Sequence, residues 1–222
     1  MMSTAVTLDT FLIAAIIAYA LGAIPVAYTI GRINGINVFQ VGSRQAGATN
    51  IWRQVSRKQG VVVTAIDATK GVSAIFIARY IGLEGTELLV PTAAAIAGHW
   101  NSPITKFRGG DGVVTLMGAS LGIAPITVFL GLTIGTIAAV TMHKKLNHPS
   151  LWGGIVGFIV FITLSFRTDS NIEPAIVYGL TGIGVAIMVH SIYFHKRHKE
   201  YFNPRETQHK DLDATITQDR LS

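Results

Sequence analysis

Two glycine-rich segments of the sequence have the composition of loops that bind anions. Residues 42–50 have the sequence Gly-Ser-Arg-Gln-Ala-Gly-Ala-Thr-Asn, and residues 106–112 have the sequence Lys-Phe-Arg-Gly-Gly-Asp-Gly. Glycine lets the backbone come close to a ligand, and a helix that starts after such a loop adds a partial positive charge that favours phosphate. Both segments are therefore predicted to bind phosphate, although glycine-rich segments also form plain turns between helices.

Polar side chains in and after the first segment add hydrogen-bond donors. The guanidinium of Arg53 would offer two parallel N–H groups to phosphate oxygens, and Ser43, Thr49 and Asn50 would add neutral donors. Besides Arg53 and Ser43, the positions predicted to bind substrate or phosphate are Gly42, Gly47, Thr49, Asn50, Gly109, Gly110, Asp111, Gly112 and His198.

Three further polar residues lie within apolar stretches and are expected to be structural. Asp67 and Lys70 are three residues apart, so they share one helical face and can neutralise each other. Because charges at membrane depth are costly, the pair either braces a helix bundle or lines a polar cavity. A lone histidine such as His99 is more often a packing residue than a catalyst.

The histidines do not have the spacing of a metal site or of a common catalytic dyad. His195 and His198 lie three residues apart and either donate to phosphate or a hydroxyl, or lie at a membrane interface. The sequence has no cysteine, no His-x-x-x-His and no His-x-x-x-x-Asp. We therefore expect no metal site.

The composition places these segments in a membrane protein. Half of the 222 residues are apolar and 14% are charged, against about 25% charged residues in soluble domains. Five long stretches contain no Asp, Glu, Lys or Arg, and each is about as long as the roughly 20 residues that cross a bilayer. We therefore predict an all-α polytopic membrane protein, with a single transmembrane domain at 1–202 and a polar, poorly ordered tail at 203–222.

Seven membrane segments are predicted, one of them short. The stretch 112–142 is too long for one span, and Gly122 and Pro125 both disfavour a continuous helix within it. The predicted segments are Thr10–Ile30, Gly60–Ala78, Leu88–Thr105, Gly112–Leu121, Pro125–Met142, Leu146–Phe166 and Pro174–Phe194.

The distribution of basic residues predicts the orientation of the chain. The segment between the first two spans contains five basic and no acidic residues, whereas the alternate loops near Glu84 and Asp169 are mixed in charge. Basic loops face the cytoplasm. The N-terminus is therefore predicted outside, and both glycine-rich segments and the C-terminus are predicted on the cytoplasmic side. The net charge of +6 suggests anionic lipid or an anionic substrate rather than nucleic acid.

Several motifs in a fixed order give the chain a family resemblance that extends from the first span to His198. They are Gly42-Ser43, Gly47-Ala48-Thr49-Asn50, Arg53, Asp67-x-x-Lys70-Gly71, Gly98-His99, Gly109-Gly110-x-Gly112-Val113, Ser150 and His195. The sequence resembles the bacterial acyl-phosphate:glycerol-3-phosphate acyltransferases, the PlsY-type membrane enzymes.

The resemblance implies a seven-helix enzyme of the bacterial plasma membrane with its active site on the cytoplasmic face. It implies transfer of a fatty acyl group from acyl phosphate to glycerol 3-phosphate, forming lysophosphatidic acid in phospholipid biosynthesis without a cofactor. A soluble enzyme that makes acyl phosphate is the implied protein partner. By position, Ser43, Arg53, Ser150 and His195 match residues that bind phosphate or the hydroxyl nucleophile.

Three motifs depart from the family pattern. Gly-Ser-Gly-Asn is replaced by Gly-Ser-Arg-Gln at 42–45, an asparagine is replaced by His198, and the lysine of Gly-Gly-Lys-Gly is replaced by Asp111. Asp111 is expected either to pair with Arg44 and so bridge the two segments, or to cap the following helix in a site that has lost activity.

Two other functions remain as alternatives to an active acyltransferase. A catalytically weak or inactive member of the family would bind an anionic phosphate or lipid ligand. A small transporter of an anionic substrate would have an internal inverted repeat, which the sequence does not show.

Overall fold

Helices make up the regular secondary structure of the residues that the structure describes. The structure is a computed structural model that describes residues 7–142, 149–167 and 172–197, with the side chains of 142, 149–153 and 194–197 excepted. These residues contain no β-strand, as predicted. The α-helices in this range, numbered in chain order, are α1 Leu8–Gly22, α2 Val26–Ile33, α3 Ala48–Gln54, α4 Arg57–Tyr80, α5 Leu89–Trp100, α6 Val113–Ile123, α7 Pro125–Met142, α8 Pro149–Arg167 and α9 Pro174–Arg197.

Local sequence signals explain where several helices begin. The Thr7 hydroxyl accepts a hydrogen bond from the backbone N–H of Thr10 at the start of α1, and Ser56 does the same for Gln59 at the start of α4. Helices α7, α8 and α9 each begin with proline, whose fixed φ and missing N–H suit the first helical position.

The helices pack through small residues that let their backbones approach closely. A Cβ atom on Gly71 of α4 would lie 2.1 Å from the carbonyl oxygen of Thr115 on α6, and one on Gly22 of α1 would lie 1.9 Å from that of Ala95 on α5. Gly131 of α7 makes a similar contact with Gly157 of α8. Such contacts are typical of helix pairs in membranes, where close packing and not the hydrophobic effect drives association.

Within the described residues, three helical stretches are long and apolar enough to cross a membrane. They are Leu8–Ile33, Arg57–Tyr80 and Pro174–Tyr193, and shorter apolar helices cover Val113–Ile123, Pro125–Thr141 and Gly154–Arg167. The outer surface is apolar over much of this length. Exposed side chains include Phe76, Ile126, Phe129 and Val140, which a membrane accommodates and water does not.

The predicted membrane segment Leu88–Thr105 is not one continuous helix, and the prediction is wrong in that respect. Helix α5 ends at Trp100, and short 3₁₀ turns flank it at Gly85–Leu88 and Pro103–Thr105. The backbone turns because Asn101 leaves the helical region and proline follows two residues later. By contrast, the predicted break in the stretch 112–142 is confirmed, because α6 ends at Ile123 and α7 starts at Pro125.

Candidate functional site

The two glycine-rich segments, here called the first loop (residues 42–50) and the second loop (residues 106–112), lie against each other. The backbone N–H of Ala46 donates to the Gly109 carbonyl at 3.1 Å. One residue earlier, the Gln45 side-chain amide donates to the Asp111 carboxylate, with 2.6 Å between Nε2 and Oδ1. A backbone bond and a charge-assisted side-chain bond therefore join loops that are 66 residues apart in sequence.

Asn50 organises the first loop from within. Its side chain is buried, and its Nδ2 atom donates to the carbonyls of Val38, Gln45 and Val41 at 2.9, 3.0 and 3.2 Å. Its Oδ1 atom accepts from the backbone N–H of Ser43 at 3.2 Å. The amide hydrogens of Asn50 are thus used inside the protein, so the described hydrogen bonds give this residue a scaffolding role in the loop.

Polar residues of the first loop and of the helix that follows it lie at the protein surface. Helix α3 begins directly after Gly47, and Thr49 and Arg53 are four residues apart on its exposed face. In the described part of the chain, the Arg53 guanidinium has no hydrogen-bond or ion-pair partner. Ser43 is partly exposed, and a Cβ atom on Gly47 would meet nothing within 4 Å. These residues form an accessible surface beside the joined loops.

The glycines of the second loop are required by contacts within the protein. A Cβ atom on Gly109 would lie 1.9 Å from the His99 carbonyl oxygen, and one on Gly110 would lie 2.7 Å from both the Ala46 carbonyl oxygen and His99 Nε2. Gly112 has φ of +83°, a conformation that glycine adopts without strain. The end of α5 therefore supports this loop, and close packing is sufficient to explain glycine at these positions.

Asp111 does not cap helix α6. The helix starts after Gly112 without a side-chain capping bond, and the Asp111 carboxylate points to Gln45 instead. The sequence suggested an ionic bridge from Asp111 to Arg44. The loops are bridged at Asp111 by the neutral amide of Gln45, and a pairing of Asp111 with Arg44 stays a prediction.

Arginine and lysine side chains surround the joined loops. Lys106 and Arg108 of the second loop are exposed. The Arg108 guanidinium lies 4.3 Å from the ring centroid of Phe39, which precedes the first loop, and such a cation–π contact leaves the charge accessible. With Arg53, these residues make the loop surface cationic.

The predicted pairing of Asp67 and Lys70 is confirmed. Lys70 Nζ lies 2.7 Å from Asp67 Oδ1, and the two side chains are only 4% and 3% exposed. The same ammonium group donates to the Ile24 carbonyl, between α1 and α2. A small polar cavity of about 10 Å³, enough for about one water molecule, separates this pair from His99 and the second loop.

His99 is buried at the end of α5. Its Nδ1 atom lies 3.4 Å from the hydroxyl oxygen of Thr115 on α6, and its carbonyl oxygen accepts from the Gly110 N–H at 3.4 Å. These contacts hold the second loop against α5 and α6. These packing contacts agree with the structural role expected for His99.

An apolar groove of about 850 Å³ extends between α6, α7, α8 and α9. Its lining is formed by aliphatic and aromatic side chains and by glycines such as Gly135 and Gly184. Val113, the residue that follows Gly112 of the second loop, is one of the residues that line the groove. A cationic loop surface therefore adjoins a long apolar groove, which suits an amphiphile with an anionic head and an apolar tail.

The side chains of three predicted site residues lie outside the described part of the structure. Ser150 lies in the first turn of α8 and His195 near the end of α9, but their side chains are outside the described set, as is the whole of His198. The predicted tail at 203–222 also lies outside the described residues.

Sequence patterns did not reveal three residues that shape the site. Gln45 bonds to Asp111, the Trp100 indole N–H donates to the Asp111 carbonyl at 2.7 Å, and the His190 ring stacks on Trp100. Each contact joins elements that are distant in sequence or separated by a turn. Only the polar character of Gln45 and His190 within otherwise apolar or basic surroundings could have drawn attention to them.

Comparisons with known proteins agree on one family. Residues 12–203 match the family described as Glycerol-3-phosphate acyltransferase. Glycerol-3-phosphate acyltransferase 1 of Deinococcus radiodurans is 35% identical over 156 residues, which cover 69% of this chain and 77% of that protein. Glycerol-3-phosphate acyltransferase 3 of Dehalococcoides mccartyi is 32% identical, with 81% of this chain and 88% of that protein covered.

A solved structure agrees with these sequence matches. The crystal structure of PlsY (YgiH), an integral membrane glycerol 3-phosphate acyltransferase in its glycerol 3-phosphate form, superimposes with a TM-score of 0.67 at 25% identity. The match covers 86% of this chain and 90% of that one. The chain is therefore an integral membrane protein of the glycerol-3-phosphate acyltransferase family, of the PlsY type.

Proposed function

We propose that this protein transfers a fatty acyl group from acyl phosphate to a hydroxyl of glycerol 3-phosphate in phospholipid biosynthesis. The products are lysophosphatidic acid and inorganic phosphate. Family membership supports glycerol 3-phosphate as acceptor, and the PlsY neighbour was solved in a glycerol 3-phosphate form. The observation that carries the proposal is the adjacency of a cationic, glycine-rich loop pair and an apolar groove.

The groove supports a long-chain acyl phosphate as the donor. Its apolar tail would occupy the groove, and its phosphate would lie at the second loop, which ends one residue before the groove-lining Val113. Burial of each methylene taken from water contributes about 0.8 kcal/mol, but the bilayer offers the tail a comparable gain, so the groove serves to position the tail. The loop then has to orient only the reacting acyl phosphate group.

The acceptor would bind on the exposed face beside the first loop. Arg53 would hold its phosphate through two parallel N–H groups, and the Thr49 and Ser43 hydroxyls would add neutral donors. The family resemblance adds Ser150 and His195 to this site, and the sequence adds His198, at a position where the family has asparagine.

The reaction needs orientation more than a strong base. The acceptor hydroxyl oxygen forms a bond to the acyl carbon, the bond from that carbon to the phosphate oxygen breaks, and the hydroxyl proton leaves with the phosphate. Acyl phosphate is already activated, so proximity and electrostatic stabilisation can supply much of the rate enhancement. The cations Arg53, Lys106 and Arg108 would stabilise the negative charge that moves onto the leaving phosphate.

The bond between Gln45 and Asp111 supports activity despite the acid in the second loop. A carboxylate beside a bound phosphate repels it. Here the carboxylate is turned to an amide donor that fixes its direction, so that it serves to join the loops. The positive charge that the family draws from lysine at this position would come from Lys106 and Arg108.

We also propose the membrane arrangement that the charge distribution predicts. Seven segments would place the N-terminus outside and both loops on the cytoplasmic face of a bacterial plasma membrane. The third segment would then consist of the short helix α5 and the turns around it. This face would give access to a soluble enzyme that makes acyl phosphate. Residues 1–202 would form the single transmembrane domain.

A catalytically inactive relative that binds phosphate or lipid is the second candidate, and Asp111 is the observation that favours it. Purified protein in lipid vesicles, supplied with palmitoyl phosphate and labelled glycerol 3-phosphate, distinguishes the two. Labelled lysophosphatidic acid formed from palmitoyl phosphate, but not from a palmitoyl thioester, supports the proposal. Saturable binding of glycerol 3-phosphate without any product contradicts it.

A further inference from the structure

Trp100 and His190 form a nearly parallel ring stack between the end of α5 and α9. Their ring centroids are 4.4 Å apart, and the ring planes differ by 11°. His190 lies five residues before His195 on α9. Its Nδ1 atom is buried and has no hydrogen-bond partner in the described part of the chain. The flat face of the ring, and not its polar nitrogen, therefore makes the contact with Trp100.

Trp100 also contacts the second loop. The indole N–H of Trp100 donates to the Asp111 carbonyl at 2.7 Å. The same nitrogen would lie 3.1 Å from a Cβ atom on Gly112. The position of the indole therefore determines the path of the loop backbone immediately before helix α6, whose first residue, Val113, lines the apolar groove.

We propose that His190 is a positioning residue for acyl transfer, acting through Trp100 on the backbone of Asp111 and Gly112. The inference rests on the proposed function. The stack holds the indole face while the Asp111 carbonyl holds its N–H, so the ring is fixed in two directions. Without the stack, the indole can turn, and the loop loses a donor that orders its last residues. Because α9 also carries His195, the stack sets the distance between that helix and the loop.

The test compares variants that keep or remove the flat ring. An aromatic stack contributes an effect equivalent to roughly 2- to 12-fold, so His190→Leu should lower kcat/KM by about that factor. His190→Phe keeps the ring face and should recover most of the activity. Tyr178→Leu is the control. It removes the other described ring contact of α9, with Phe166 at 5.9 Å, about three turns from His190, and should leave activity unchanged.

A double-mutant cycle tests whether the effect passes through Trp100. Trp100→Phe keeps a ring for stacking but removes the N–H that binds the Asp111 carbonyl. In that background, His190→Leu should cost less than about 2-fold, because the path to the loop is already broken. Equal losses from His190→Leu in both backgrounds, or a His190→Phe variant as impaired as His190→Leu, would overturn the proposal.

A readout independent of activity separates this inference from the proposed function. The chain has three tryptophans, so replacing Trp52 and Trp152 by phenylalanine leaves Trp100 as the single emitter. Its emission should change with His190→Leu and not with Tyr178→Leu; an unchanged emission in both contradicts the stack. A wild-type protein with no acyl transfer contradicts the proposed function itself, whatever the fluorescence shows.

Discussion

Arg53 carries an exposed guanidinium at the loop surface. Its guanidinium lies on the outer face of α3, so its removal should cost no packing. Arg53→Ala should lower kcat/KM for glycerol 3-phosphate by roughly 10- to 150-fold, equivalent to the about 1.5–3 kcal/mol of a charge-assisted hydrogen-bond pair. Arg53→Lys should recover only part, because a point charge lacks the planar fork.

Steady-state kinetics with varied glycerol 3-phosphate measures this effect. Arg57→Ala provides the matched control, since Arg57 is an exposed arginine of the same basic region at the start of α4. It should behave like wild type. Similar losses in both variants would show that general positive charge, and not a specific phosphate contact, is what matters.

The contact of Gln45 with Asp111 makes a second prediction at this scale. Gln45→Ala and Asp111→Ala should each lower kcat/KM by roughly 5- to 12-fold, equivalent to about 1–1.5 kcal/mol for a lost hydrogen bond. The double variant should be no worse than either single variant, because each change breaks the same link. A gain of activity in Asp111→Ala would show that the acid opposes phosphate binding.

Individual contacts could be predicted from the sequence only where they are local. Asp67 and Lys70 are one helical turn apart, so their pairing follows from spacing alone. The partners Gln45 and Asp111 are 66 positions apart, and their contact depends on how the two loops pack. For the same reason, the sequence predicted a ligand role for Asn50 and did not reveal the carbonyls that surround its amide.

At the scale of helices, the ion pair of Asp67 and Lys70 braces α4 against the junction of α1 and α2. Replacing either partner alone leaves a buried charge and should destabilise the protein by about 3–5 kcal/mol. Asp67→Asn with Lys70→Met should destabilise it less than either single change. Thermal unfolding of the purified protein in detergent measures this, and equal losses in all three variants would count against the pair.

Helix boundaries were predictable where a residue type dictates the backbone. Pro125 separates α6 from α7 as expected, because proline cannot continue the preceding helix. The third segment was predicted too long because the absence of charges over 88–105 does not reveal a turn. Asn101 and the 3₁₀ turn at Pro103–Thr105 end the helix within an uncharged stretch.

At the scale of the whole molecule, the orientation of the loops can be tested because the chain has no cysteine. Single cysteines at exposed positions 106 and 84 report on the two faces that the charge distribution predicts to be opposite. In intact cells, an impermeant maleimide should label the cysteine at 84 and not the one at 106. After lysis both should react. Labelling at 106 from outside would contradict a cytoplasmic site.

If the joined loops and the groove form one site, acyl phosphate and glycerol 3-phosphate are consumed together. The most direct measurement follows inorganic phosphate and lysophosphatidic acid in the same reaction, with purified protein in lipid, palmitoyl phosphate and glycerol 3-phosphate. We predict equal amounts of both products, no phosphate release above background without glycerol 3-phosphate, and strongly reduced formation of both with Arg53→Ala. Phosphate release that is independent of glycerol 3-phosphate, or no product with the wild-type protein, would contradict the account.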